Sequence, residues 1–281
     1  LKAINFTSHI IALWIFFEVS SILTQDDIKQ FANNGFLVKR NFFSKDLVDK
    51  ALNCFLESWP RSKSFDKNGR NWYGPFNPKE ECSGNGLIRS GYRWLDRRKS
   101  KEDWIVKGFL LNPNLKLSAE QLMGVNNLLT PTVIRGIYAT LPSQGQSEFP
   151  LHPHVDTHPF SLGVVTYLMD ISSPGAGAFT VWPESHLKMN YSFINKVGEQ
   201  KTFDHKIILR ETLDQINPLE ILAQKGDLIF WHHRLIHAAG INHSITPRVA
   251  LFADLFHSQF KLLMIESSCV NLWKDWSPQL R

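Results

Sequence analysis

The chain has 281 residues, 43% of them hydrophobic and 20% charged, with 16 Gly and 14 Pro. This composition excludes a disordered or fibrous class and leaves room for one large domain. Three widely spaced cysteines (Cys54, Cys82, Cys269) form no C-x-x-C pair, which argues against a disulfide scaffold or thiolate metal site and for a reducing compartment such as the cytoplasm. The formal charge of +5 is uneven, because residues 61–116 hold 13 Lys and Arg against 6 Asp and Glu, and the remainder holds 18 against 20.

Residues 1–22 contain an apolar run of eight, Ile10 to Phe17, closed by Glu18 and preceded by Lys2 as its only basic residue. The run is too short to span a membrane and too weakly charged for a good secretory signal, with Val19-Ser20-Ser21 only a loose fit to a cleavage site. We treat 1–22 as an extension of undefined role, expect no stable membrane anchor, and read 23–281 as a single domain. Thr24 with Asp26 and Asp27 starts a helix that Gly35 should stop, followed by a short strand at Phe36-Leu37-Val38. Ser44 opens a second helix whose apolar positions Leu47, Val48, Ala51, Leu52 and Phe55 share one face.

From Pro60 to about Ser100 no period is visible, and 61–116 as a whole reads as a basic insertion with interleaved aromatics (Trp72, Tyr73, Tyr92, Trp94, Trp104). Such a stretch could face nucleic acid, a membrane or an anionic small molecule, or could be a solvated insertion. Ser118-Ala-Glu-Gln121 matches a capping box and predicts a helix to about Leu129. From Thr132 onward come short β-rich runs: Val133–Leu141, His154–Asp156, Leu162–Met169, Ala178–Val181, Leu219–Ala223, Leu228–His233 and Val249–Phe256. Helices followed by many short strands fit a mainly β fold with flanking helices, an antiparallel barrel or sandwich.

The chemistry concentrates in two runs, Leu151-His-Pro-His-Val-Asp-Thr-His158 and Gly226-Asp-Leu-Ile-Phe-Trp-His-His-Arg-Leu-Ile-His237. On a strand, His154 and Asp156 project from one face and can reach one cation. With His237 they make a two-histidine, one-carboxylate set, which suits iron(II) because positions stay open for co-substrate and oxygen. His152 shares that face as well. Arg248 follows His237 by eleven residues, and its guanidinium fork can hold a carboxylate bidentately. Trp182 and Trp231 read as packing residues.

The sequence resembles the phytanoyl-CoA dioxygenase-like branch of the iron(II)/2-oxoglutarate oxygenases from about Leu23 to Phe256. The resemblance rests on Leu23-Thr-Gln-Asp-Asp with Phe31 and Asn34-Gly-Phe-Leu-Val, on His154-Val-Asp156, and on Gly177-Ala-Phe-Thr-Val-Trp-Pro-Glu-Ser-His186. It extends to Lys225-Gly-Asp-Leu-Ile-Phe, His237-Ala-Ala-Gly, Asn242 and Arg248. Glu184 stands where the family's turn usually has glycine, and Ala239 where a small hydroxyl residue is common.

The resemblance implies a double-stranded β-helix, the jelly-roll or cupin-like core. It selects His154, Asp156 and His237 as iron ligands, with His158 outside the set, and assigns 2-oxoglutarate to Arg248 and Thr166. Fe(II), 2-oxoglutarate and O2 are then the implied cofactor and co-substrates. The expected reaction is hydroxylation of a small-molecule metabolite with release of succinate and CO2, since halogenases of the family lack the carboxylate that Asp156 supplies. Asn242, His233 and Tyr138 are pocket candidates, with a rim or core position the alternative for His233. Arg89, Arg93 and Arg97 are candidates to meet an anionic substrate if 61–116 closes over the pocket. The rivals are a non-catalytic jelly-roll binding protein and a jelly-roll isomerase or lyase, and Arg248 argues against both. Nucleic acid is not the expected partner, and the oligomeric state is not legible.

Overall fold

The structure is a computed structural model that describes residues 21–58, 87–90, 93–143, 151–156, 162–190, 205–263 and 271–281. Tyr92, Trp72, Tyr73, Cys82, Cys269, His158 and nearly all of the 1–22 extension lie outside these residues.

Helix α1 (Gln25–Asn34) begins where the sequence places it. The Thr24 hydroxyl accepts from the Asp27 amide and the Asp27 carboxylate accepts from the Thr24 amide, a reciprocal capping box. Gly35 ends it at φ 78°, a left-handed position that costs glycine little. Strand β1 (Phe36–Lys39) and helix α2 (Lys45–Ser58) follow. Part of the basic segment is regular: β2 (Leu87–Ser90) and β3 (Arg93–Asp96) pair as an antiparallel hairpin. After a short helical turn α3 (Asp103–Ile105) comes α4 (Pro113–Met123).

The Ser118 start for this helix is corrected. Asn112 caps α4 and Pro113 occupies its first turn, so Ser118 is buried mid-helix, and Gly124 stops it before Leu129. The Gln121 side chain accepts instead from the amides of Ile22 and Leu23, tying the chain entry to α4. An Asn-Pro pair is itself a strong helix start, and it outcompeted the weaker Ser-x-x-Gln pattern.

The remaining strands are β4 (Gly136–Thr140), β5 (Leu151–His154), β6 (Leu162–Tyr167), β7 (Phe179–Val181), β8 (Leu219–Ile221), β9 (Leu228–His232), β10 (His237–Ala239) and β11 (Arg248–Leu255). Between β7 and β8 lie helices α5 (Ser185–Asn190) and α6 (His205–Gln215), which the strand pattern had not suggested. All strand pairs are antiparallel. Seven strands form one sheet in the order β1-β9-β6-β11-β4-β3-β2, and four form a second in the order β5-β10-β7-β8, two open sheets of a jelly-roll core.

The larger sheet is buried on both faces, and its strands alternate accordingly. Leu228, Phe230, Val164, Val249 and Leu251 face the helices, in one cluster with Phe31, Val48, Phe55 and Leu122. Ile229, Trp231, Val165, Tyr167, Ala250 and Phe252 face the smaller sheet, in a second cluster with Phe179, Val181 and Ile221. Trp231 needs room that only glycine gives: a Cβ on Gly163 of the neighbouring strand would stand 2.1 Å from the indole. Trp182 and Trp231 are buried packing residues, as their sequence context implies.

Candidate metal centre

His154 ends β5, His237 begins β10, and the two are cross-strand partners in the smaller sheet. The expected strand His154–Asp156 is corrected: β5 ends at His154, and Asp156 lies two residues beyond it in irregular chain that still brings it to the same place. Their side chains converge. His154 Nε2 is 3.7 Å from Asp156 Oδ1, His237 Nε2 is 3.4 Å from Asp156 Oδ2, and one ligand atom from each residue lies within 4.8 Å of the others. Among the described residues this is the one group of three or more such side chains close enough to hold a metal ion.

The backbone selects the useful tautomer of both rings. His154 Nδ1 lies 2.6 Å from the carbonyl of His152, and His237 Nδ1 lies 2.9 Å from that of Leu235. A carbonyl only accepts, so each Nδ1 carries a proton, which leaves each Nε2 as the ring atom available to a metal. His152 thereby acts through its main chain; its φ of 52° is the left-handed turn that aims this carbonyl. Burial, followed by the nearby His237, lowers the His154 pKa to about 4, so the ring is neutral at physiological pH.

Arg135, which the sequence reading did not single out, completes the group. Its Nη2 donates to Asp156 Oδ2 at 3.1 Å, its Nε donates to Asp254 Oδ2 at 3.0 Å, and Nη2 also reaches Asp254 Oδ1. Burial alone would raise the Asp156 pKa. The hydrogen bond and charge of His237, then Arg135 and His154, outweigh it and hold the carboxyl well below its usual range. The Arg135 guanidinium also sits 5.7 Å from the Trp231 ring centre, and ring centres of Phe179 and Trp231 lie 5.4 and 5.6 Å from that of His237. The only sequence signal for Arg135 was its isolation in the apolar lead-in to β4; its partners are 21 and 119 residues away.

Arg248 begins β11 and is almost wholly buried on the inner face, its Nε donating to the carbonyl of Gly177 at 2.7 Å. No carboxylate among the described residues pairs with it. Burial holds its pKa down to about 10, so the guanidinium remains charged. Gly177 has to be glycine here: φ is 77°, and a Cβ would meet Asn242, Thr140 and Arg248 at 3.1–3.4 Å.

Three of the pocket expectations are corrected. Thr166 lies on the helix-facing side of β6, where its hydroxyl donates to the Asp227 carbonyl at 2.8 Å; strand alternation gives the inner position to Tyr167. His233 follows the end of β9 in a turn, so it does not share a face with His237, and it stacks on His232 and Trp276 among the helix-side aromatics. Asn242 is buried but spent on structure, donating to the carbonyls of Thr140 and Thr246 and accepting from Ser244 in the turn before β11. Tyr138, by contrast, faces inward: it stacks on Phe252 at 5.2 Å, and its hydroxyl accepts from Arg97 and donates to the Arg135 carbonyl. Arg97 is exposed beside it. Arg93 is half-buried on the face of β3 that continues from Thr140, and Arg89 stands in register with Trp94.

The other resembling segments are structural. Ser185 Oγ accepts from the Ile236 amide at 2.9 Å and so fixes the backbone entering His237. Asp227 accepts from Arg40 and from the Asn41 and Gln224 amides, anchoring the start of β9. Glu184 adopts φ 66°, a conformation that favours the glycine it replaces.

Solved structures of similar fold include the ectoine-named protein EctD from S. alaskensis with 2-oxoglutarate and 5-hydroxyectoine (15% identity, TM-score 0.57, 87% of this chain and 79% of that one). They also include two non-haem, 2-oxoglutarate-dependent proteins of nogalamycin biosynthesis. The epimerase SnoN shows 17% identity, TM-score 0.51, and 83% and 82% coverage; the carbocyclase SnoK shows 16%, 0.52, and 91% and 96%. No curated protein matches the sequence. At these identities the structures establish the fold alone, but the sequence profile of the family described as phytanoyl-CoA dioxygenase (PhyH) matches residues 31–250, and the chain therefore belongs to the phytanoyl-CoA dioxygenase family.

Proposed function

We propose that this protein is an Fe(II)- and 2-oxoglutarate-dependent dioxygenase that hydroxylates a small molecule. The observation that carries the reading is the pairing of two features between the two sheets. One is a two-histidine, one-carboxylate triad that fits a divalent first-row metal; the other is a buried arginine with which no carboxylate among the described residues pairs.

His154 Nε2, His237 Nε2 and an Asp156 oxygen would hold the metal on one face and leave its other positions open. When bound, iron with 2-oxoglutarate and O2 supplies the oxidising power for a C–H bond, and the 2-oxoglutarate is converted to succinate and CO2. The chain's residues do the rest. Arg248 receives the distal carboxylate, while Arg135 holds the Asp156 oxygen it bonds away from rotation. Phe179, Trp231 and Phe252, packed in the cluster beside His237, would keep water from it and so strengthen the charge interactions there.

The spacing is suitable. Gly177, bonded to Arg248, lies two residues before β7, and Val181, paired with His237, ends it, so the two are at most about 13 Å apart at ~3.3 Å per residue. The arginine side chain and the histidine ring take up several Å from the two ends, leaving the length of a five-carbon diacid. Hydroxylation is favoured over halogenation because Asp156 keeps its carboxylate. The fold-level neighbours include an epimerase and a carbocyclase, so product analysis is the test of the outcome.

The test is an anaerobic titration of the protein with Fe(II) and 2-oxoglutarate, followed by the visible metal-to-ligand charge-transfer absorption. The absorption is expected in the wild type, absent in His237→Ala, and shifted to about tenfold or more higher 2-oxoglutarate concentration in Arg248→Gln, the loss expected for a charge-assisted hydrogen-bonded fork. Absence of the absorption in the wild type would refute the proposal. Mass spectrometry of products from a metabolite panel, scored for a gain of one oxygen, then tests hydroxylation.

A further inference from the structure

Arg93, Thr140 and Arg248 lie in one row across three neighbouring strands, since Thr140 is in register with Arg93 on one side and with Arg248 on the other. All three belong to the inner face. Thr140 touches the Gly177–Arg248 corner, and the alternate residues Trp94 and Ala139 pack on the helix side. At about 4.8 Å per strand step the two arginine Cα atoms stand roughly 10 Å apart. Arg93 therefore shares the inner sheet face of the Arg248 fork, the face that meets the smaller sheet carrying His154 and His237.

Like Arg248, Arg93 has no counter-charge among the described residues. Arg98 is paired with Asp96, Arg40 with Asp227, and Arg135 with Asp156 and Asp254. Among the described residues no carboxylate lies in ion-pair range of Arg93, and its Nε is buried without a hydrogen-bond partner. A half-buried guanidinium left this way is costly unless a ligand completes it. The formal charges say what kind of ligand. On the reading proposed above, a metal dication, Asp156, the two carboxylates of 2-oxoglutarate and Arg248 sum to zero, and Arg135 is neutralised by Asp254. Among the described inward-facing residues, one positive charge is left over, on Arg93.

We infer that Arg93 is the recognition residue for an anionic group, of the carboxylate class, on the molecule to be oxidised. This inference rests on the iron and 2-oxoglutarate reading. The substrate is then an acid that reaches the site across β3 and β4, with its charged end on Arg93 and its reacting carbon towards the triad. Tyr138, one alternation along β4 on the same face, would border its apolar part.

The experiment uses the full chain loaded anaerobically with Fe(II) and saturating 2-oxoglutarate. Acetate and benzoate, and their neutral amides acetamide and benzamide, are titrated in by calorimetry. At least one acid is expected to bind the wild type about tenfold or more tighter than its amide, the preference a charge-assisted contact gives. Arg93→Gln should abolish that preference and Arg93→Lys keep part of it, while the 2-oxoglutarate affinity of both variants stays within about threefold of wild type, which also reports that they are folded. Equal binding of acids and amides, no binding of either acid, or a preference retained in Arg93→Gln overturns the inference. If Arg93→Gln weakens 2-oxoglutarate instead, the arginine serves the co-substrate and the inference fails in that way. Failure of the wild type to form the charge-transfer absorption is a different result, and it refutes the function reading itself.

Discussion

Arg135→Gln removes one guanidinium from between two carboxylates that are hardly exposed; the side chains of Arg135, Asp156 and Asp254 show 15%, 9% and 13% of their surface. Breaking a buried ion pair from one side costs about 3–5 kcal/mol, because the charge left behind keeps its desolvation penalty without its partner. Here two charges are left behind, and they repel each other. For a chain of this size that corresponds to a fall in Tm of roughly 10 °C. Urea unfolding of the metal-free protein at neutral pH measures the loss, and adding Asp254→Asn to the variant should recover part of it by removing one stranded carboxylate. The double-mutant cycle is expected to give a coupling of about 1–3 kcal/mol. Repeating the series with a divalent metal adds a second check: the metal should stabilise Arg135→Gln more than the wild type, since a dication beside Asp156 replaces the lost positive charge. A cost under about 1 kcal/mol for Arg135→Gln, typical of exposed pairs, would refute the view of Arg135 as the clamp on Asp156. So would a metal effect equal in both proteins.

Gly177→Ala should displace Arg248, whose Nε is bonded to the Gly177 carbonyl and whose Cβ an added methyl would crowd. It is expected to weaken 2-oxoglutarate binding about tenfold or more while leaving metal affinity nearly unchanged, as read by separate titrations of metal and co-substrate. Glu184→Gly relieves a non-glycine residue at φ 66° and should raise stability by about 1 kcal/mol in urea unfolding; a loss of stability would show that the Glu184 side chain contributes more than its backbone strain costs. Burial pushes the His186 pKa down to about 4, partly offset by its bond to the Ala32 carbonyl. A histidine depressed in the fold stabilises fully above its unfolded pKa near 6.5, and this stability is lost as pH falls from there towards 4. The His186 share of the loss should reach about 2 kcal/mol by pH 5, so His186→Gln should lose about that much less stability than the wild type between pH 7 and 5, and equal losses in the two proteins would count against it.

Local chemistry was legible wherever it is decided by neighbours in sequence. The Thr24 cap and Gly35 stop of α1, the glycine-preferring turn at Glu184 and the strands of alternating apolar residues depend on backbone preferences within a few positions, and they stand as the sequence implied. The short chain distance from His154 to Asp156 and the β-rich run before His237 likewise put the triad within reach of a sequence reading, and the family resemblance supplied the rest.

What the sequence could not supply is which face of a strand meets the cavity and which charges find partners. Thr166 and Tyr167 are adjacent in a run buried on both sides, so hydrophobicity gives no alternation to read, and only packing against the helices shows Thr166 turned away. For His233 the rim or core alternative holds for a related reason: β9 ends one residue before it, and a regular strand was needed to aim it inward. Neither Arg135 nor Arg93 shows its partners in the sequence. Tertiary folding gives Arg135 two carboxylates distant in the chain and, among the described residues, gives Arg93 none, because ion pairing depends on distances through space that chain separation does not encode. The sequence by itself thus determined most of the elements and the ligand types, while the packing of the two sheets decided which face each side chain takes and which charges meet.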